Sequence, residues 1–179
     1  MLYDGPEEFA QALKKHGKTP RSDSEQPLPR VENLRLGLNV AACDSLPLVV
    51  GFAPSQKERD DLSRRLATSA WQDDVAGEAH YVVCAPEDLD EYPELAKERG
   101  QERSGILVLD PDDYGRSAQV LNKVDQGLAG RSLTSALKKG LSKHSAVVRD
   151  HRDHVRTGKR KGYEWKGKIE TTDPTEKRR

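Results

Sequence analysis

The sequence predicts an α/β domain built on a mixed β-sheet. Three observations carry that expectation. Leu48-Val49-Val50-Gly51-Phe52 and Gly105-Ile106-Leu107-Val108-Leu109 are continuous apolar runs of strand length, the pattern of strands buried on both faces. Between them, Leu62, Leu66 and Ala70 recur every four residues behind Ser55, whose spacing to Glu58 suits a capping box. After the second run, Asp110-Pro111-Asp112-Asp113-Tyr114-Gly115 is dense in turn formers, so Ser117–Leu121 is expected to return antiparallel as a hairpin.

The elements follow in order. Pro6 suits a first helical turn, Glu7 and Glu8 favour the positive helix end, and Phe9 and Leu13 share a face, so residues 1–16 read as a short helix. Gly17–Arg30 holds Pro20, Pro27 and Pro29, with Leu28 its only large apolar side chain; it reads as a linker or as a strap over a surface. Residues 48–52 form the first strand, 56–71 a helix of about four turns, and His80–Cys84 the second strand. Pro86–Arg99 is acidic and contains Pro93, so loop and a short helix are expected there. Residues 105–109 and 117–121 are the third and fourth strands, and a helix starting near Ser132 carries Leu133, Leu137 and Leu141. The same stripe continues through His144, Val148, His151 and Val155 at alternating steps of four and three, which predicts a seam on one helix face. A strand–helix–strand unit requires a right-handed parallel crossover, and the hairpin adds antiparallel pairing.

Composition sets the limits of this domain. The 179 residues hold 30 basic and 30 acidic side chains, with 34% hydrophobic residues. Leu, Ile, Val and Phe total 36, at the border where a chain stops filling one compact core. Three regions are therefore expected: an N-terminal helix and Pro-rich linker over 1–30, the α/β domain over 31–142, and a helical extension with a basic flexible tail over 143–179. Charge separates along the same line. Residues 1–136 carry 16 basic and 24 acidic groups, and 137–179 carry 14 and 6. No apolar run approaches the ~18 residues of a membrane span, and Met1–Phe9 lacks the basic and apolar regions of a signal peptide. Two distant cysteines suit a reducing compartment. A soluble cytoplasmic protein is the expectation, with no membrane insertion.

The string Leu46-Pro47-Leu48-Val49-Val50-Gly51-Phe52-Ala53-Pro54, the helix behind it, the strand near Val82, and Gly105-Ile106-Leu107-Val108-Leu109-Asp110-Pro111-Asp112 together resemble the thioredoxin-like domain family. The resemblance covers Leu34–Ser142. It implies a mixed sheet flanked by helices, with the active site at the start of the helix after the first buried strand. The departures bear on activity. Pro54-Ser55-Gln56-Lys57-Glu58 stands where the family places Cys-x-x-Cys, and Arg103-Ser104-Gly105 where it keeps a cis-proline. A serine at that turn cannot carry out disulfide exchange.

The remaining constellations each have a plain structural reading. Cys43 and Cys84 read as small apolar side chains, against the alternative of a thiol-dependent oxidoreductase using Cys84. Ser55 reads as a helix cap. Asp150-His151-Arg152-Asp153-His154 is a weak metal signature beside the known zinc patterns, and its histidines read as part of the helix stripe. No P-loop, dinucleotide fingerprint or nucleophile elbow occurs, so no cofactor is expected. The segment 156–168 stands apart: Arg156, Lys159, Arg160, Lys161, Lys166 and Lys168 are interleaved with Tyr163, Trp165 and three glycines. It reads as a pliable partner-binding arm with Tyr163 and Trp165 as anchors on one side of an extended chain. The expected function is that of a redox-inactive adaptor or accessory subunit, docking onto a larger protein assembly through its extensions. RNA or ribosome association through the basic tail is the alternative.

Overall fold

A computed structural model describes residues 26–147 and 150–163. The expected helix over 1–16, the linker up to residue 25, Val148, and the arm residues Trp165, Lys166 and Lys168 lie outside the described residues.

The fold is mixed α/β, with one open four-stranded sheet and, among the described residues, six helices. The strands are β1 (Leu48–Phe52), β2 (His80–Cys84), β3 (Gly105–Pro111) and β4 (Ala118–Val124), in the order β2-β1-β3-β4. β1 runs parallel to β2, with Val50 opposite Val82, and antiparallel to β3, with Val50 opposite Leu107. β3 and β4 are antiparallel, with Ile106 opposite Val124 and a register shift between Val108 and Leu109. The helices are α1 (Leu34–Asp44), α2 (Gln56–Ala70), α3 (Pro86–Asp90), α4 (Pro93–Arg99), α5 (Gly130–Leu141) and α6 (His151–Arg160).

The period-two alternation of β1 and β3 sorts the core into two layers. Leu48, Val50, Phe52, Leu107 and Leu109 face α1, α3 and α4, and pack with Leu34, Leu38, Leu89 and Leu95. Val49, Ile106 and Val108 face α2 and α5, and pack with Leu62, Leu66, Leu133 and Leu137. Helices cover both faces, which is why these strands are apolar without interruption. Ser55 caps α2 in a reciprocal box: Glu58 N–H donates to Ser55 Oγ at 3.3 Å, and Ser55 N–H donates to Glu58 Oε2 at 3.0 Å.

The strap reading holds for the described end of the linker. Leu28 is buried with the α2 layer, Arg30 bridges to Tyr81, and Val31 N–H donates to the Tyr81 carbonyl at 2.8 Å. The strap thus lies along the outer edge of β2, and Trp71 Nε1 donates to the Pro27 carbonyl at 2.9 Å.

Four expectations change. The segment 34–44, assigned no element from sequence, is α1, capped by Asn33, whose side chain accepts from Leu36 N–H at 2.9 Å. Residues 86–99 form two helices, because Pro86 and Pro93 each occupy a first turn, where the missing N–H costs nothing. β3 runs on to Pro111, and β4 covers Ala118–Val124 where 117–121 was expected. The continuous seam from Leu137 to Val155 does not form, because α5 ends at Leu141 and α6 starts at His151.

Candidate functional site

The junction between β1 and α2 is built as a structural turn. Ser55 Oγ donates to Glu58 Oε2 at 2.6 Å, and this bond is the main reason the Glu58 carboxyl lies below its ordinary value. Arg59 folds back and donates to the carbonyls of Ala53 and Pro54, both at 2.9 Å. The hydroxyl of Ser55 therefore faces a carboxylate that already caps the helix, with no imidazole in the arrangement.

Cys84, at the end of β2, is buried, and desolvation pushes its thiol up to about 12. The Asp88 carboxylate adds to that shift, and the Arg59 guanidinium opposes it. Arg59 comes close because α2 starts beside β2, yet burial and Asp88 outweigh it. Cys43 is exposed on α1, and neither thiol is in a disulfide.

The C-terminal extension is bound to the body at two points. After α5, His144 sets Nδ1 3.0 Å from Asp110 Oδ1 on β3 and Nε2 2.8 Å from the Ser45 carbonyl. Ser45 caps the C-terminus of α1 in the left-handed conformation and donates from Oγ to the Val147 carbonyl at 3.1 Å. These bonds pull the chain off the α5 axis and end the seam.

The second point is Tyr114, in the β3–β4 turn. Asp112 shapes that turn by accepting from the N–H groups of Tyr114 (3.1 Å) and Arg116 (2.7 Å). Gly115 has φ 59°, and a Cβ there would meet the Leu38 carbonyl oxygen at 2.6 Å. The Tyr114 ring stacks on His154 with centroids 4.4 Å apart, and its hydroxyl donates to the His154 carbonyl at 3.1 Å. Gly158 is buried under the same ring; a Cβ there would lie 2.8 Å from Tyr114 Cε1. Tyr163 closes the cluster edge-on at 4.9 Å. Arg116 lies over the Tyr163 ring at 4.7 Å, and Lys161 over the Tyr114 ring at 5.3 Å.

This arrangement corrects the reading of a pliable extended arm for its described part. Arg156, Lys159 and Arg160 are on α6, capped by Asp150, whose side chain accepts from Asp153 N–H at 2.9 Å. Three or four residues make one turn, so His154 and Gly158 face Tyr114 while Arg152, Arg156, Lys159 and Arg160 face outward. Tyr163 is half-buried against the body and is not an outward anchor. Sequence reasoning missed Tyr114 as part of this region, and it placed His144 in a helix stripe and Arg152 in a weak metal signature, not in the roles they take here. The only signal for Tyr114 was its place in a turn otherwise built of small polar residues.

Among the described residues no group of three or more His, Cys, Asp and Glu could hold a metal ion. No helix among them is long and apolar enough to cross a membrane. The molecule is thus a mixed α/β domain that carries a C-terminal helix with an outward cationic face. The chain matches no protein-family model and no curated protein.

Proposed function

We propose that the protein is a redox-inactive, thioredoxin-like adaptor or accessory subunit that docks onto a larger protein assembly through its C-terminal extension. The sheet order β2-β1-β3-β4, with α2 crossing between parallel strands and a final antiparallel pair followed by α5, supports the thioredoxin-like part. Cysteines outside any disulfide support a reducing, cytoplasmic setting.

One observation carries the adaptor reading: the Tyr114 cluster holds α6 on the body with its basic side chains facing outward. A solvated tail needs no aromatic clamp, whereas a docking element gains affinity from being held in one orientation before it binds. The oxidoreductase alternative requires a thiolate at neutral pH, and the buried Cys84 thiol, pushed to about 12, disfavours it.

The test is a chain ended after Val147, compared with the full chain for co-purification with its native partner. Loss of association is expected, with the α/β body still unfolding cooperatively in urea. Full association by the shortened chain would overturn the proposal.

A further inference from the structure

On the adaptor reading, the outward face of α6 has one further property, the spacing of its charges. Arg152, Arg156 and the adjacent pair Lys159 and Arg160 fall on three successive turns, and all four are exposed. From Arg152 to Arg160 the stripe is about 12 Å long at ~1.5 Å per residue. Val155, 38% exposed, lies three residues after Arg152 and four before Lys159, so it adjoins both. Asp153 is the one acid within α6, and it is paired with Arg156 at 2.6 Å.

We infer that this face is a docking site for an acidic helical segment of a partner protein, one that sets carboxylates on successive turns around a single apolar side chain. Three observations fit that occupant. The charges recur with the helical period, so a second helix laid along α6 meets one cation per turn with its own i, i+4 carboxylates. Val155 supplies an apolar contact beside the charges, which a phosphate backbone has no group to match. The rings that could stack on bases are already engaged: Tyr114 and His154 stack on each other, and Tyr163 packs edge-on under Arg116. Single-stranded nucleic acid is held by exposed aromatic platforms as well as by cations, and the described part of this region presents none outward.

The experiment uses the full chain and three fluorescein-labelled probes in anisotropy titrations. One is a helical peptide with Glu on three successive turns of one face around a Leu. The second is the same composition scrambled so that the Glu residues surround the helix. The third is oligouridylate. The patterned peptide is expected to bind about tenfold or more tighter than the scrambled one. R152E/R156E/K159E is expected to remove that preference with the circular dichroism unchanged, since the three side chains are solvent-facing. V155A, which removes the apolar contact without changing charge, should lower patterned-peptide affinity several-fold and leave oligouridylate unaffected.

Equal binding of both peptides would overturn the inference, because it would mean diffuse charge attraction only. Tighter binding of oligouridylate than of the patterned peptide would also overturn it, in favour of nucleic acid. No binding of the patterned peptide overturns it as well. The shortened chain separates these failures from failure of the adaptor reading: native association lost on ending the chain after Val147 keeps the adaptor reading even where the partner class is wrong.

Discussion

His144 joins Asp110 to Ser45: its two ring nitrogens lie 3.0 Å from a carboxylate oxygen at the end of β3 and 2.8 Å from a carbonyl at the C-terminus of α1. The ring thus links the end of β3 to the C-terminus of α1 through its two nitrogens. The two contacts reach back 34 and 99 residues along the chain, so they exist only in the folded chain. His144→Ala removes both bonds at a site that is largely shielded from water. The expected cost is on the order of 1–3 kcal/mol, read as a lower urea midpoint at unchanged m-value. An unchanged midpoint would show that the contact contributes nothing.

The Tyr114 cluster sets the stability of α6 separately from the core. Tyr114→Ala removes the stack on His154, the hydroxyl bond and the edge contact with Tyr163. Faster amide exchange is expected over 152–163, with protection in β1 and β3 unchanged. Gly158→Ala is expected to act in the same direction, although alanine is the better helix former by about 1 kcal/mol, because its Cβ would displace the Tyr114 ring. Slower exchange in Gly158→Ala would show that the ring yields freely.

Gly115→Ala should be among the most damaging single substitutions outside the core. The residue is at φ 59°, and a Cβ would meet backbone atoms of Leu38 and Asn39 at 2.6 to 2.8 Å. Strain in the left-handed region costs about 1–3 kcal/mol, and the backbone collision adds to it by forcing α1 away from the turn. Thermal unfolding of the variant should show a fall of several degrees or more. Wild-type stability in Gly115→Ala would contradict the close approach of α1 to the hairpin turn.

The two thiols should differ sharply in reactivity. Exposed Cys43 is expected to label rapidly with a thiol reagent at pH 8, and Cys84 only after denaturation. Cys43→Ser should therefore abolish labelling of the native protein, and fast labelling that survives it would contradict the burial of Cys84. The same burial gives a pH dependence. In the fold the Cys84 thiol rises from 9.0 to about 12, and the Tyr81 hydroxyl from 10.0 to about 12. The folded state thus holds both protons over a range where the unfolded chain has released them. The contribution is complete below pH 9 and is lost as pH rises from 9 towards 12. A urea midpoint that falls above pH 9 in the wild type, and falls less steeply in Cys84→Ala, is the expected result.

Much of the central fold was legible because its signals are local. The bounds of β1 and β2 follow from short apolar runs, and α2 from a four-residue repeat behind a capping box, each contained in a dozen or so residues. α1 was missed because Leu36 and Gly37 interrupt its stripe of Leu34, Leu38 and Ala41, and Leu36 is in fact partly exposed. The candidate site was half legible. The basic residues of 156–161 stand out in the sequence, but their helical arrangement depends on Tyr114, some forty residues earlier.

By itself the sequence determined the four strands and helices α2 and α5 to within a few residues, the absence of a dithiol at the β1–α2 turn, and the separation of an acidic body from a basic extension. Periodicity, capping and charge are properties of neighbours along the chain, so they survive without the fold. Tertiary structure alone decided where the seam after Leu141 breaks, that Leu28 enters the core, and which way the basic residues face. The stripe from Leu137 to Val155 has helical spacing throughout, yet bonds from His144 to Asp110 and Ser45, and the Tyr114 stack on His154, turn it into two helices. Contacts between residues distant in sequence leave no local pattern, and here they overrode one.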